Sequence, residues 1–169
     1  MYSISLGFDE AINRIEALLE RDHKAEALVT SVFTFEKTVR RSLKIAILAR
    51  GFSLKQSSRF TERKGFSELK DMWDLFDKDY RTLPTFIGNQ HWQPIPNAIK
   101  MRNDLVHGAK IYKLADCNSS AHHVLSALKE LRQNVQAEYG RDPWQRIRGK
   151  RAPRLQWWGE TCNAAGTAR

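Results

Sequence analysis

The amino-acid sequence predicts an all-α fold, an antiparallel bundle of four to five helices. Apolar residues recur at steps of three and four along several segments, which is the period of an amphipathic helix. No segment shows the alternating pattern of a strand. With 169 residues, of which 41% are apolar, the chain can bury a core without disulfides or a metal. We divide it into a helical domain at residues 1–139 and a basic, tryptophan-rich tail at residues 140–169 that packs on the bundle.

The charge balance favours an anionic partner. Lys and Arg number 28 against 19 Asp and Glu, so the formal net charge is +9. RNA or another nucleic acid is the leading candidate, although a basic surface without any partner gives the same balance. A DNA-binding helical protein is an alternative that only this charge suggests.

The N-terminal sequence does not resemble a signal peptide. Asp9, Glu10 and Glu16 fall where such a peptide needs an apolar core. No run approaches the roughly 20 apolar residues of a membrane span, and Cys117 and Cys162 lack the spacing of a disulfide framework. We therefore expect a soluble, cytoplasmic protein without a membrane anchor or a cofactor.

The first two helices are expected at residues 8–22 and 24–50. The second helix ends at Gly51 and would span about 40 Å, so we expect it to be the central helix. Its apolar stripe comprises Leu28, Val32, Phe35, Val39, Leu43 and Ile47.

The middle of the chain is less regular. Residues 52–65 are polar and basic and predict a loop or a short helix, whereas residues 67–80 predict a third helix. The prolines between residues 84 and 96 should break secondary structure, although one of them can occupy the first turn of the next helix.

Two further helices complete the predicted bundle. The first covers residues 97–107 and ends at Gly108, and its inner side is formed by Ala98, Ile99, Arg102, Leu105 and Val106. A connector at residues 109–117 leads to the last helix, which begins at a cap at Asn118 or Ser119 and ends near Tyr139.

The tail interleaves arginines with tryptophans, a pattern that can stack bases and hold phosphates. Alternatively, the tryptophans fold the tail back onto the bundle; we favour packing for Trp144 and leave Trp157 and Trp158 open. The candidate RNA contacts are Arg146, Arg148 and Arg154 in the tail, and Lys55, Arg59, Arg63 and Lys64 in the basic segment at residues 52–65.

The candidate functional site is the stretch Met101–Gly108. Arg102 provides a permanent positive fork that suits phosphate oxygens. His107 lies near the negative end of the helix dipole, which favours its protonated form and lets it exchange a proton near neutral pH. Arg102 and His107 are about 140° apart around a regular helix, whereas Asn103 and His107 are one turn apart. Arg102 must therefore reach around the helix, or two copies of the chain must share one site across a two-fold axis.

A purely structural role explains the same residues. Arg102, Asn103 and Asp104 can form the solvated face of a helix, with His107 interacting only with the last carbonyls. Glu36 likewise has two interpretations. We favour a solvated ion pair with Arg40, one turn away, over a position that faces the motif and supports its basic groups.

The stretch Arg102–Gly108 resembles the signature of the HEPN superfamily. That signature is an arginine followed a few residues later by a histidine, often with an asparagine directly after the arginine. The resemblance extends over residues 8–139, because the motif lies in the fourth helix of an all-helical chain and follows a long second helix. The tail lies outside it.

The resemblance implies an α-helical domain that dimerises so that two motifs line one cleft. Many HEPN domains are metal-independent endoribonucleases that act as toxins in toxin–antitoxin or anti-phage systems. By this resemblance Arg102 and His107 are catalytic and Asn103 supports them. The partners implied are RNA, a second copy of the chain and a protein antitoxin, and no metal is required.

The sequence departs from the family at one position. HEPN toxins that a nucleotidyltransferase antitoxin silences carry a tyrosine two residues after the histidine, where this chain has Ala109; the nearest tyrosine is Tyr112. That mode of regulation is therefore in doubt. A catalytically silent HEPN module that binds RNA or nucleotide, or that mediates assembly, is the alternative function.

Overall fold

The computed structural model describes residues 7–147, and every regular element in that range is an α-helix. The predicted all-α class is confirmed. Nine helices lie in the described range: α1 Phe8–Glu20, α2 Lys24–Ala49, α3 Leu54–Thr61, α4 Phe66–Asp71, α5 Trp73–Phe76, α6 Leu83–Ile87, α7 Asn89–Trp92, α8 Ile95–Val106 and α9 Leu114–Tyr139. None of them is long and apolar enough to cross a membrane.

The two 26-residue helices α2 and α9 pack against each other along most of their length and form the centre of the bundle. α1 packs on α2, and α8 packs on both α2 and α9. The sequence produces this arrangement because the predicted stripe of α2 is entirely buried, and α9 presents a matching stripe. The buried residues of α9 that form it include Val124, Leu128, Leu131 and Val135.

The predicted third helix at residues 67–80 is wrong as a continuous element. The chain forms α4 and α5, which are separated at Met72, and the helix ends at Phe76. The end has a clear cause. The side chain of Asp77 accepts hydrogen bonds from the backbone N–H groups of Asp79 (3.2 Å) and Arg81 (3.0 Å). These bonds replace the helical ones that would continue the segment.

The prolines do not abolish helical structure, contrary to the prediction. α6 and α7 are short helices in this segment, and Pro84 lies in the first turn of α6 behind a cap formed by Thr82. Pro96 lies in the first turn of α8, as the sequence allowed. First-turn positions suit proline because their N–H groups have no intrahelical partner.

The last helix begins earlier than predicted. α9 starts at Leu114 after an extended Lys113, so Asn118 and Ser119 lie within the helix and are not its cap. The first turn contains Asp116, whose negative charge suits the positive end of the helix dipole. Caps inferred from residue type alone therefore placed the boundary too late.

The start of the tail packs on the bundle, as expected for Trp144. Its indole Nε1–H donates to the buried hydroxyl of Thr38 on α2 (3.0 Å), and its ring contacts Phe8 edge to face, with centroids 5.8 Å apart. The ammonium of Lys37 lies 4.6 Å from the indole centroid, and Arg41 donates to the Pro143 carbonyl. Trp157 and Trp158 lie outside the described residues.

A buried ion network fixes the loop after α5 to the end of α9. The carboxylate of Asp77 is fully buried, and both of its oxygens accept hydrogen bonds from the Arg81 guanidinium (2.9 and 3.0 Å). Arg81 also donates to Glu138 on α9 (2.7 Å), and the Tyr139 hydroxyl donates to Asp77 (2.9 Å). Burial alone would raise the pKa of Asp77, but the hydrogen bonds from Arg81 and Tyr139 outweigh it and lower the pKa to about 2.

This network makes the free energy of unfolding depend on pH in the acidic range. The pKa of Asp77 is lower in the folded state than the ordinary value of 3.8, so its contribution is complete above about pH 4 and is lost as the pH falls through 2. Asp77→Asn should destabilise the protein at pH 7, and its deficit relative to wild type should shrink by about 2 kcal/mol as the pH approaches 2. Urea unfolding at several pH values measures this. Asp71→Asn, which removes an exposed carboxylate on α4, is the control, and a deficit that is independent of pH would contradict the prediction.

Candidate functional site

The motif lies at the C-terminal end of α8, where the backbone closes in a Schellman motif. Gly108 adopts a left-handed conformation with φ of 65°. Its N–H donates to the Leu105 carbonyl (3.3 Å), and the N–H of Ala109 donates to the Asp104 carbonyl (2.8 Å). His107 is the last residue before this turn. The backbone of His107 is therefore fixed by a turn in which the next residue, Gly108, has a positive φ.

Arg102 points toward α2 and is held there by two contacts. Its Nη2 donates to Glu36 Oε1 in an ion pair, and its guanidinium lies 4.7 Å from the ring centroid of Phe33. Only 14% of the Arg102 side chain is exposed. The buried Nε–H donates to no residue in the described part of the chain, so the guanidinium retains donor capacity beyond its bond to Glu36.

Glu36 faces the motif, and our favoured pairing of Glu36 with Arg40 is wrong. Arg40 instead donates to the backbone carbonyls of Thr61 and Lys64 (2.7 Å for the latter), which anchors the chain after α3. Burial raises the pKa of Glu36 above its usual range, and the nearby guanidinium of Arg102 only partly offsets this effect. Helical spacing suggested Arg40 because it lies one turn from Glu36, whereas the contact with Arg102 depends on the packing of α8 against α2.

Asn103 and His107 are about 100° and 140° from Arg102 around a regular helix. Both are exposed, and the backbone N–H of His107 donates to the Asn103 carbonyl (3.0 Å). The His107 imidazole forms no hydrogen bond with any other residue between positions 7 and 147. The structure thus confirms the angular separation inferred from the sequence: within one copy, Arg102 faces α2 whereas His107 faces outward.

Sequence reasoning missed a second feature of this helix end. The Tyr112 hydroxyl donates to Asp104 Oδ2 (2.6 Å), and this bond raises the pKa of the phenol. The ammonium of Lys110 lies 4.8 Å from the Tyr112 ring centroid. These contacts fold the connector back against α8. No periodic signal marks them, because they join a helix to an irregular segment.

The inner side predicted for α8 is partly wrong. Ala98 is buried, and Ile99 and Leu105 are half-buried, but Val106 is 50% exposed. Met101, which we did not assign to the inner side, is buried. α8 packs on α2 and α9 through part of its circumference, and Val106 lies outside that contact.

The described RNA-contact candidates lie on α3, in the segment that follows it and just beyond α9. Lys55 and Arg59 are exposed on α3, Arg63 is exposed in the turn that follows, and Lys64 forms an ion pair with Glu68 (2.7 Å). Arg146 is exposed just beyond α9. Arg148 and Arg154 lie outside the described residues. The structure does not bring these side chains to the motif, so they remain candidates for contacts along a longer strand.

Other candidate chemistries gain little support. Cys117 is buried, and burial raises the pKa of its thiol, which disfavours the thiolate. His122 and His123 are exposed on α9. Within residues 7–147, no group of three or more His, Cys, Asp or Glu side chains could hold a metal ion.

No protein-family model, curated protein or solved structure matches this chain.

The Glu36–Arg102 pair should couple energetically. In a double-mutant cycle, Glu36→Ala and Arg102→Ala should each lower the free energy of unfolding, because each leaves one partly buried charge unpaired. The loss in the double variant should be at least about 1 kcal/mol smaller than the sum of the two single losses. The matched cycle of Glu36→Ala with Arg40→Ala should show a smaller coupling. Urea unfolding measures both, and equal couplings in the two cycles would contradict the assigned pairing.

Proposed function

We propose that this protein is a metal-independent endoribonuclease of the HEPN type, active as a homodimer and serving as a toxin in a toxin–antitoxin or anti-phage defence system. The single observation that supports it most is the arrangement of the motif. One helix end carries an arginine held by a partly buried carboxylate and a histidine exposed to solvent.

The proposed reaction uses these two groups in different roles. The ribose 2′-hydroxyl attacks the adjacent phosphate, the bond from phosphorus to the 5′-oxygen breaks, and a 2′,3′-cyclic phosphate and a 5′-hydroxyl result. His107 takes the proton from the 2′-hydroxyl or supplies one to the leaving 5′-oxygen. Arg102 stabilises the negative charge that develops on the phosphoryl oxygens. Asn103, one turn before His107, offers an amide that can bind the ribose or the phosphate.

The separation of Arg102 from His107 favours a shared site. His107 is exposed, whereas Arg102 of the same copy is about 140° away around the helix and is paired with Glu36. A two-fold axis beside the two α8 helices would place His107 of one copy near Arg102 of the other. Glu36 then positions Arg102 and does not touch the substrate.

Exposed apolar side chains on the elements that carry the motif support this dimer. Phe33 lies against the Arg102 guanidinium, Val106 follows Arg102 by one turn, and Ile111 in the connector is 93% exposed. Leu114 at the start of α9 is also exposed. Large exposed apolar surfaces mark interaction sites, and we assign these side chains to the interface with a second copy of the chain.

One observation favours the alternative, a HEPN module that binds RNA or nucleotide without cutting it. Arg102 is mostly buried and already bonded to Glu36, so in a single copy it presents little surface to a phosphate. A protein antitoxin that covers the exposed His107 would suit either function. Because the position two residues after His107 is Ala109 and not a tyrosine, silencing by modification of a tyrosine there is disfavoured.

We expect wild-type protein to cleave RNA in the presence of EDTA. His107→Ala should lower the rate about 10²–10⁴-fold, as expected for loss of a general acid–base group, and Arg102→Ala should also lower it strongly. His122→Ala, which removes another exposed histidine from α9, should leave the rate unchanged. Cleavage is followed by gel electrophoresis of labelled RNA at matched folding. Absence of cleavage by wild type across varied RNAs, with RNA binding retained, would establish the binding module instead.

The oligomeric state gives an independent test. Val106→Glu and Ile111→Glu each place a charge among the exposed apolar side chains beside the motif, so they should convert a dimer into a monomer and abolish cleavage. Leu75→Glu, at an exposed apolar residue of α5, should leave the dimer intact. Sedimentation velocity measures the mass. A monomeric wild type, or dimerisation that both motif-side variants retain, would refute this interface.

A further inference from the structure

A groove between α8 and α9 adjoins the candidate site, and we refer to it as the α8–α9 groove. It encloses about 370 Å³, a size that suits a nucleobase. Two helical stripes face each other across it, with the connector at one end. The residues that line it include Asn97 and Met101 of α8, Tyr112 of the connector, and Asp116, Ser119 and His123 of α9.

The groove has a polarizable floor held in a fixed position. Met101 is 2% exposed, and its sulfur accepts hydrogen bonds from Asn97 Nδ2 (3.5 Å) and the Ser120 hydroxyl (3.3 Å). A thioether packs well against flat aromatic rings. The floor therefore suits a planar heterocycle.

Tyr112 forms a rigid aromatic wall. Its hydroxyl is held by Asp104, and the Lys110 ammonium lies over its ring. A ring fixed in this way offers a stacking surface at little entropic cost, and aromatic side chains are the usual platforms for unpaired bases of RNA.

The charges of the groove disfavour a phosphate and favour a hydrogen-bond donor. Asp116 lines it and Asp104 holds its aromatic wall, whereas the exposed lysines nearby, Lys110 and Lys113, belong to the connector. A carboxylate only accepts hydrogen bonds. The ligand group inside the groove should therefore be neutral and should present N–H donors, with its phosphate outside near the connector.

We propose that the α8–α9 groove binds a guanine base, with Asp116 accepting hydrogen bonds from N1–H and the N2 amino group. Guanine is the base whose Watson–Crick edge presents two adjacent donors that match the two oxygens of a carboxylate. Adenine and cytosine place an acceptor nitrogen beside their amino group, and uracil flanks its N–H with carbonyls. The proposal rests on the proposed function for its RNA substrate and specifies it further: cleavage occurs next to a guanosine.

The geometry links the groove to the motif. Asp104, which holds Tyr112, lies in the last turn of α8, one turn before Gly108 and next to the segment that carries His107. A nucleotide with its base in the groove directs its ribose and phosphate toward this helix end. The groove would then determine which phosphodiester reaches His107.

The test is an NMR titration of the His107→Ala protein, which cannot cut RNA under the proposed function, with the 5′-monophosphates of guanosine, adenosine, cytidine and uridine. The guanosine nucleotide should shift the amide signals of Tyr112, Asp116, Ser119 and His123, and should bind at least about fivefold more tightly than the other three. Asp116→Asn should weaken it at least about fivefold and leave the others unchanged. Glu130→Gln, an equivalent change elsewhere on α9, is the matched control and should have no effect.

Each outcome decides the proposal. It is overturned if the guanosine nucleotide shifts no signals in the groove, if all four nucleotides bind equally, or if Asp116→Asn binds as the parent does. Guanine-selective binding in the groove without RNA cleavage by wild type would refute the nuclease and leave the groove assigned. Cleavage that requires His107, without base binding in the groove, would support the nuclease and refute the assignment of the groove.

Discussion

The apolar contact between α2 and α9 is the constraint on which the rest of the structure depends. Burial of aliphatic and aromatic side chains along two 26-residue helices supplies a large favourable term, and it fixes the orientation of both helices for every other element. α8 lies against both of them, so one side of α8 meets Glu36 and the other meets Ser120. The motif helix is therefore positioned from two directions by the same core.

This placement gives the two halves of the motif different physical environments. Arg102 is in a partly buried, low-dielectric setting, where its charge is held by Glu36 and its plane is supported by Phe33. His107 is exposed to solvent at the helix end. Under the proposed function, the fixed cation and the exposed imidazole would play different parts in phosphodiester cleavage, and their separation on α8 is the reason that the proposed site includes a second copy of the chain.

The sequence predicted α1 and α2 well, placed the start of α9 too late and predicted the short helices poorly. α1 and α2 were located to within one or two residues, because their apolar periodicity is strong and Gly51 marks an end. The break at Met72 and the helices around Pro84 were missed, because they depend on side-chain hydrogen bonds and tertiary packing that no local pattern encodes. At the site, residue types identified Arg102 and His107. The structure supplied what spacing could not: that Arg102, and not Arg40, is the cation that pairs with Glu36, and that Tyr112 donates to Asp104.

The packing of Trp144 bears on the order in which parts of the chain fold. Its contacts with Phe8 and Thr38 join the segment beyond α9 to the first turn of α1 and to the middle of α2. Contacts between residues so distant in sequence carry a high loop-closure entropy, and they form only after the intervening helices have docked. We expect these contacts to form late in folding. In a variant that keeps Trp144 as its only tryptophan, the indole fluorescence would report on this step separately from collapse of the α2–α9 core.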